Sequence, residues 1–340
     1  MKIAYVMYPG ACFMGKADGI RMQAIVWANE IIKRGHAVDF INPWECYNWK
    51  EFDIVHVFSF GLWNYDFIYW GSGLNKNIVI SPIIDSNTPH WKYKLATYAG
   101  FSKLRMFSQN YVLRSLKPKI KMFFARSEYE SDYFRKGYDI EEEKISVVPL
   151  SYRKLVDEEL SARHYDKEPF CLFVGEMTQE RKNVARIIEA AKKYNFKLVL
   201  AGDTGNEESI AKLKSQIGKP ENIEIKGFVP DAELESLYSR AKVFALPSIS
   251  EGVGLVALEA AVHECNIVIT NLGGPKEYYP DGLAYKVNPY DVDDIGRSIV
   301  AALENNEQQP ALKEHIMKEY NLSRCVDLLV ESYEKVAKAK

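Results

Sequence analysis

The feature that most constrains the fold is the stretch 242–277, which reads KVFALPSISEGVGLVALEAAVHECNIVITNLGGPKE. A short apolar run ends at Pro247, and a glycine-bearing turn leads into an apolar helical segment. A second β-branched run follows and also ends in glycines. This order predicts a strand, a turn, a helix and a second strand. The turn brings backbone N–H groups and the positive end of a helix dipole together, which is the usual setting for a phosphate.

Two carboxylates lie in this stretch, Glu251 in the turn and Glu259 eight positions later. Along one helix they would lie about 12 Å apart at 1.5 Å per residue. That separation is too long for two acids acting on one glycosidic bond, but it suits the two ends of an elongated, hydroxyl-rich ligand. From the residues alone, Glu251 could instead be an acid at a helix N-terminus and Glu259 a solvated side chain. The apolar neighbours of Glu259 make a free carboxylate there costly.

The run PSISEGVGLVALEA, with seven residues between Glu251 and Glu259, resembles the signature of the retaining glycosyltransferases of family 4. The following NLGGPKEYYPDG resembles the next glycine loop of that family. The resemblance implies the GT-B fold, which has two doubly wound Rossmann-like domains and an interdomain cleft. It also implies that Glu259 holds the ribose of a nucleotide-sugar donor and Glu251 the hydroxyls of the donor sugar. The backbone expected to meet the donor is that of Gly252, Val253, Gly254 and Leu255.

Strands and helices alternate along all 340 residues, which predicts parallel sheets and two α/β domains. We predict an N-terminal, acceptor-side domain over residues 1–150 and a C-terminal, nucleotide-sugar-binding domain over residues 151–319. A last helix at about 320–340 is expected to pack back on the first domain. The predicted strands are 2–8, 37–41, 53–58, 78–81, 121–126 and 144–149 in the first domain, and 171–175, 197–203, 222–228, 243–246, 267–270 and 283–289 in the second.

Two adjacent cations, Arg181 and Lys182, lie between a predicted strand and a predicted helix. They could clamp a diphosphate or form an ordinary solvated pair. The resemblance places the phosphate-binding lysine of the family on Lys182. Glu176 stands where the family usually has a second cation, so Arg181 would have to compensate. The resemblance also makes Gly19, below the donor diphosphate, a donor-site candidate, together with a turn that borders the nucleobase, formed by Gly227, Phe228 and Val229.

The segment after the fourth predicted strand departs from the family. Many members have a histidine there that touches the donor sugar, whereas this chain has Asp85, with His90 five residues later. We expect Asp85 to substitute as a catalytic residue. Three alternatives stay open: the contact is absent, His90 takes the role, or Asp85 only forms an Asx turn. On the preceding strand, His56 is expected to be a buried, hydrogen-bonded histidine and not a catalyst.

Residues 86–127 contain nine Lys and Arg and no acid, with aromatic residues interleaved. We predict a basic, aromatic, helical surface that contacts an anionic membrane. A plain solvated surface is the main alternative, and nucleic-acid binding is the weakest. The candidate membrane contacts are Lys103, Arg105, Lys117, Lys119 and Lys121.

The composition is that of an ordinary globular protein, 47% hydrophobic and 26% charged, with a net charge of −2. Five scattered cysteines indicate neither a disulfide framework nor a zinc site, and Asp291 and Asp293 are better explained as helix capping than as a metal motif. We expect no cofactor and no metal. With no signal peptide or membrane span apparent, we expect a cytoplasmic location, either free or peripheral at the inner face of the plasma membrane.

The predicted function is a retaining glycosyltransferase of the hexosyltransferase type. Its donor would be a UDP- or GDP-sugar and its acceptor a glycan or lipid-linked glycan, in surface polysaccharide biosynthesis. A sugar-nucleotide epimerase of the same fold and a non-catalytic two-domain sugar binder are the alternatives. A nicotinamide oxidoreductase is disfavoured because Thr270 and Asn271 stand where its acidic residue would lie.

Overall fold

The computed structural model describes residues 1–8, 10, 19–101, 106–154, 166–218, 221–307 and 309–338. The chain divides into two compact units. One consists of Met1–Leu150 with Leu322–Lys340, and the other of Ser151–Asn321.

The first unit is an α/β unit built on a parallel sheet. Its strands are β1 (Lys2–Val6), β2 (Ala37–Phe40), β3 (Ile54–Phe58), β4 (Ile78–Ser81), β5 (Gly100–Phe101), β6 (Met106–Phe107), β7 (Met122–Ala125) and β8 (Ile145–Val147). Six of them form one sheet in the order β2-β1-β3-β4-β7-β8, and every pairing in it is parallel. The two-residue strands β5 and β6 form a separate antiparallel hairpin. Five helices of this unit are α1 (Gly19–Lys33), α2 (Tyr65–Gly71), α3 (His90–Ala96), α4 (Gln109–Leu116) and α5 (Glu128–Asp132).

The second unit contains a second parallel sheet of six strands. They are β9 (Glu168–Val174), β10 (Lys197–Ala201), β11 (Ile223–Gly227), β12 (Ala241–Leu246), β13 (Asn266–Thr270) and β14 (Tyr285–Val287). Their order is β11-β10-β9-β12-β13-β14, so the winding direction reverses between β9 and β12. Ligands of such sheets bind outside the carboxyl ends of the strands at this reversal. The helices are α6 (Val184–Tyr194), α7 (Glu207–Ile217), α8 (Asp231–Arg240), α9 (Leu255–Val262), α10 (Pro275–Tyr278), α11 (Val292–Glu304) and α12 (Pro310–Glu319).

The last helix, α13 (Leu322–Lys338), belongs to the first unit. Its Tyr333 is fully buried, and the hydroxyl lies 3.2 Å from that of Tyr5 on β1 and 2.6 Å from Nδ1 of His56 on β3. His56 Nε2 lies 2.9 Å from Ser81 Oγ on β4. His56 is therefore a buried, hydrogen-bonded core residue, as predicted, and its burial lowers the pKa of the imidazole well below 6.5.

All twelve predicted strands are present, because each apolar run bounded by glycine, proline or polar residues becomes a strand of one of the two parallel sheets. Residues 86–127 were predicted to form a helical surface, and their described part is helical only in part. It contains the helices α3 and α4 but also the β5–β6 hairpin, while the buried strand β7 matches the strand predicted over residues 121–126. Asp291 caps α11 by accepting hydrogen bonds from the backbone N–H groups of Asp293 and Asp294, which confirms the capping interpretation. No helix in the described ranges is long and apolar enough to cross a membrane.

Candidate active site in the second unit

The candidate site lies where the winding of the second sheet reverses. The segment after β9 ends in a 3₁₀ turn, Glu180–Lys182, and β12 is followed by the glycine turn that precedes α9. Because β9 and β12 are neighbours in the sheet, the segments that follow their carboxyl ends meet. Lys182 Nζ lies 2.7 Å from Glu251 Oε2. The structure thus brings together two predicted site residues from opposite sides of the reversal point.

Glu251 is held by three side chains. Besides Lys182, Ser248 Oγ donates to the same oxygen at 3.2 Å, and Arg181 Nη1 lies 3.9 Å away. The side chains of Lys182 and Glu251 are only 13% and 10% exposed, whereas that of Arg181 is 40% exposed. Two cations and one carboxylate leave a net positive charge, and the more exposed Arg181 carries much of it towards solvent. This arrangement can attract a phosphate while keeping an acceptor carboxylate beside it.

Asn183 fixes the two loops relative to each other. Its backbone is left-handed, with φ +62°, and its buried amide donates to the carbonyl oxygens of Pro247 at 2.8 Å and Pro289 at 2.6 Å. The backbone N–H of Ile249 donates to the carbonyl of Arg181 at 2.7 Å. The geometry of the Lys182–Glu251 pair therefore rests on backbone carbonyls and not on exposed side chains. Asn183 and Ser248 were not predicted as site residues.

The glycine turn ends at Gly254, which precedes α9 with φ +80°. A Cβ there would lie 3.3 Å from Ile269 and 3.4 Å from Leu246, and the Tyr279 hydroxyl donates to the Gly254 carbonyl at 2.8 Å. Gly252 and Val253 are buried in the same turn, and Leu255 is the first residue of α9. Because α9 begins at Leu255, the two glutamates do not lie along one helix. The estimate of 12 Å along a helix was therefore based on a wrong assumption.

Glu259 lies inside the unit, with a side chain that is 1% exposed. Its Oε1 accepts a hydrogen bond from Arg153 Nε at 2.7 Å, and its Oε2 accepts one from the Tyr238 hydroxyl at 3.1 Å. Burial alone would lower the pKa of Arg153, but the attraction of Glu259, with smaller contributions from Tyr238 and Asp231, raises it. Burial and the Glu259 carboxylate raise the pKa of Tyr238 well above its usual value. The alternative that Glu259 is solvated is wrong.

Arg153 and Tyr238 were missed by the sequence interpretation. Arg153 lies 106 residues before Glu259 and Tyr238 lies 21 residues before it, on a different helix. No local signal points to either residue, because both reach Glu259 only when distant parts of the chain pack together.

The other donor-site candidates lie on other elements of the two units. Gly227 ends β11 with φ +69°, and a Cβ added there would meet no atom within 4 Å, while Phe228 after it is 71% exposed and Val229 is buried. Phe228 is thus an exposed aromatic ring just after the carboxyl end of a strand. Gly19 is the first residue of α1 in the first unit.

Asp85 follows β4 in the first unit and is bound to Arg126, whose Nη2 lies 2.7 Å from Asp85 Oδ1. Arg126 is nearly buried and also donates to Glu130, which is 2% exposed. Between β4 and Asp85, the β-branched Ile83 has φ +64°, a strained conformation of the kind found at functional sites. His90 begins α3, and its Nε2 is buried without a hydrogen-bond partner among the described residues.

The basic segment is less positive in space than in sequence. Asp139, which lies outside the acid-free segment 86–127, pairs with both Lys94 at 2.6 Å and Arg114 at 2.8 Å. Lys117 donates to the Asp139 carbonyl at 2.6 Å and lies 3.8 Å from Glu141. Of the other predicted membrane contacts, Lys119 donates to Ser72 and Lys121 is exposed, while Lys103 and Arg105 lie outside the described residues.

The described residues contain no cluster of His, Cys, Asp and Glu that could hold a metal ion. The site offers the cations of Arg181, Lys182 and Arg153, the carboxylates of Glu251 and Glu259, and the backbone of the glycine turn.

Comparison with solved structures identifies the architecture. Sucrose-phosphate synthase from Thermosynechococcus elongatus superposes with a TM-score of 0.76 at 15% identity, covering 100% of both chains. Anabaena HepE in complex with UDP superposes with a TM-score of 0.72 at 14% identity, covering 98% of this chain and 100% of the other. This chain has the GT-B fold. The predicted fold class is confirmed.

Sequence comparison adds a family match. The family model of glycosyl transferases group 1 matches residues 157–319, which lie within the second unit and include Lys182, Glu251 and Glu259. An uncharacterized glycosyltransferase of Methanocaldococcus jannaschii, MJ1607, is 30% identical over 57% of this chain and 48% of its own length. O-antigen chain mannosyltransferase B of Escherichia coli is 28% identical over 48% of this chain and 45% of its own length. The chain thus spans about half the length of these curated relatives.

Proposed function

We propose that this chain is a retaining glycosyltransferase that moves a hexose from a nucleotide-diphosphate sugar to a glycan or lipid-linked glycan. The observation that carries the proposal is the Lys182–Glu251 pair beyond the carboxyl ends of β9 and β12. The family match over residues 157–319 and relatives that are named mannosyltransferases support the same activity. The retaining outcome and a role in surface polysaccharide assembly rest on the resemblance of the glutamate motif.

In the proposed reaction, Lys182 and Arg181 bind the diphosphate of the donor. As the sugar leaves, negative charge develops on the diphosphate, and cations already fixed in place lower the free energy of that transition state. Lys182 must exchange part of its contact with Glu251 for a phosphate oxygen. Glu251, still held by Ser248, can then accept hydrogen bonds from the hydroxyls of the donor sugar. The N–H groups near Gly252–Gly254 would add directed donors, so no dedicated metal site is part of the proposal.

The remaining donor contacts are assigned by ligand chemistry. A ribose diol needs acceptors, and the Glu259 carboxylate offers two oxygens. A nucleobase needs an apolar face, and the exposed ring of Phe228 after Gly227 provides one. In the first unit, Asp85 stays a prediction as a catalytic residue and Gly19 as a donor contact.

A specific surface favours contact with an anionic membrane, which a lipid-linked acceptor would require. Trp91 and Leu95 are 62% and 64% exposed and, four residues apart on α3, lie on one face. Phe101 and Met106 pair directly across the β5–β6 hairpin and are 53% and 63% exposed. Large apolar side chains beside lysines suit the interface of a bilayer. We propose that this surface attaches the protein to the cytoplasmic leaflet.

Vesicle sedimentation tests the attachment. The variant W91S/L95S should lose binding to vesicles of phosphatidylcholine with about 30–40% phosphatidylglycerol, on the order of tenfold, because buried apolar side chains and anionic lipid contribute together. W44S is a matched control, since Trp44 is 92% exposed in the same unit but outside this segment. Equal binding by all three proteins would refute the attachment.

Thermal shift with a panel of UDP-, GDP- and ADP-sugars, in EDTA, tests the activity at its first step. A donor present at 100 times its dissociation constant should add about 2.7 kcal/mol to the free energy of unfolding. The stabilising donor is then incubated with and without glycan acceptors, and both nucleotide release and conversion of the donor sugar to an epimer are measured. Nucleotide release only with an acceptor supports the transferase. Conversion of the donor to its epimer without an acceptor would favour an epimerase, and binding without either reaction would favour a sugar binder. If no nucleotide sugar stabilises the protein, the proposed function is refuted.

A further inference from the structure

Glu259 raises a problem for any ligand that must reach it. The carboxylate is 1% exposed, and each of its oxygens already accepts a hydrogen bond from the protein, one from Arg153 and one from Tyr238. A ribose is larger than a water molecule, and water hardly reaches this side chain. A sugar diol can therefore contact Glu259 only if a side chain beside it moves.

Arg153 is the partner that can move. Tyr238 is fully buried within α8, where it packs against Phe244 and His263 at ring-centre distances of 5.9 and 5.6 Å. Arg153, in contrast, lies outside the helices and strands, on the irregular segment 151–154, and its side chain is 25% exposed. Its contact with Glu259 is made through Nε, so the other edge of the guanidinium can turn towards a new partner.

A second acid gives the displaced Arg153 a place to go. Asp231, the exposed first residue of α8, is close enough to Arg153 to contribute to the rise in its pKa. Arg153 therefore interacts with two carboxylates, by direct contact with the buried Glu259 and over a longer range with the exposed Asp231. A side chain with two acceptors of similar chemistry can change partners at a modest cost in free energy, and a ligand that binds one state shifts the population towards it.

We propose that Arg153 is a latch on the nucleotide site, closed on Glu259 before a nucleotide binds and displaced by the ribose diol when it does. The proposal rests on the proposed function, because it takes the ligand to be a nucleotide. The 2′- and 3′-hydroxyls replace Arg153 Nε as hydrogen-bond donors to Glu259, and the guanidinium moves towards Asp231 and solvent. Opening the ion pair lowers the affinity for ribonucleotides. Arg153 thereby sets the affinity without being the main contact of the ribose.

The test compares nucleotides with and without the diol. UDP and GDP, and their 2′,3′-dideoxy forms, are titrated calorimetrically into wild type and Arg153→Met, which keeps the apolar stem but removes the cation. The variant should bind the better ribonucleotide about tenfold more tightly, because no ion pair of roughly 1.4 kcal/mol has to open. Its affinity for the dideoxy form should stay within twofold of wild type. Arg240→Met is the matched control, since Arg240 pairs with Glu168 at the amino end of β9, and it should bind like wild type.

The outcomes separate the latch from the proposed function. Weaker or unchanged binding of the ribonucleotide by Arg153→Met overturns the latch, while binding by wild type leaves the proposed function standing. Equal gains for ribose and dideoxy forms also overturn it, because the effect would not pass through the diol. If neither protein binds any nucleotide, the proposed function fails and the latch fails with it. If Arg153→Met does not fold, Asp231→Asn tests the same equilibrium from the open side. It should weaken ribonucleotide binding severalfold, and unchanged binding would overturn the latch.

Discussion

Removing Lys182 should separate its structural role from its role in binding. The Lys182–Glu251 pair is about nine-tenths buried, and breaking a buried pair by deleting one partner typically costs about 3–5 kcal/mol, because a charge is left uncompensated. Here Ser248 and the more distant Arg181 still face Glu251, so we expect Lys182→Met to cost about 2 kcal/mol. In a unit of this size that lowers the melting temperature by roughly 6 °C.

The assay is differential scanning calorimetry of Lys182→Met, Glu251→Gln and the double variant. Because the double variant leaves no buried charge unpaired, it should regain more than half of the stability that Lys182→Met loses, with a coupling energy of about 1–2 kcal/mol. Nucleotide binding should follow a different pattern. Both proteins that lack Lys182 should lose the stabilisation by nucleotide sugar, including the one whose stability is restored.

The reasoning would be refuted by a melting temperature of Lys182→Met within about 1 °C of wild type. It would also be refuted if the double variant recovered nucleotide binding along with stability. The first result would mean that the pair is not buried in solution. The second would mean that Lys182 acts only through Glu251 and does not touch the diphosphate.

Two further predictions concern the framework. Gly202→Ala should lower the free energy of unfolding in urea by several kcal/mol, because φ is +116° and the new Cβ would collide with the carbonyl oxygen of Gly175 and lie 2.9 Å from its carbonyl carbon. Gly227→Ala is the control, since φ is +69° but the new Cβ would meet open space, and it should cost only about 1 kcal/mol. Equal losses for the two variants would contradict the clash. The free energy of unfolding should also fall as the pH drops below about 6.5, because buried His56 does not take up a proton that the same histidine accepts in the unfolded chain. His56→Gln should make the free energy of unfolding, measured in urea between about pH 5 and 8, depend less steeply on pH. An unchanged pH dependence would assign the effect to other groups.

The sequence predicted the elements well because their signals are local. An apolar run that ends in glycine or proline defines a strand such as β12 without any knowledge of its neighbours. The signals of the motif are local too, since Glu251 lies in a turn and Glu259 lies in the helix that directly follows it. What the sequence did not contain is the strand order. The reversal between β9 and β12, which brings Lys182 to Glu251 across 69 residues, depends on packing of the whole sheet.

The basic segment 86–127 is a second case in which local sequence does not determine what lies close together in the fold. A window of 42 residues without an acid predicts a positive surface, yet Asp139, which lies beyond the window, pairs with both Lys94 and Arg114 and offsets one of their two positive charges. The charge of a surface depends on all residues that lie near it in the fold. A window of sequence predicts that charge only where no residue from outside the window contributes to the surface. The membrane prediction included the aromatic Trp91 of α3 but not Leu95, which is exposed four residues later on the same helix.

The two glutamates of the motif share one feature that neither spacing nor resemblance indicates. Each is paired with a cation from another part of the second unit, Glu251 with Lys182 and Glu259 with Arg153. The acceptors proposed for sugar hydroxyls thus already have partners within the protein. Binding of a donor is therefore an exchange of partners, and only the difference between new and old contacts contributes to affinity. At Glu251 the exchange gains a phosphate for the displaced cation, since Lys182 keeps an anionic partner. At Glu259 the ligand offers only hydroxyls, so Arg153 must find its new partner within the protein. The cost of binding should therefore be concentrated at the ribose end of the site and not at the diphosphate.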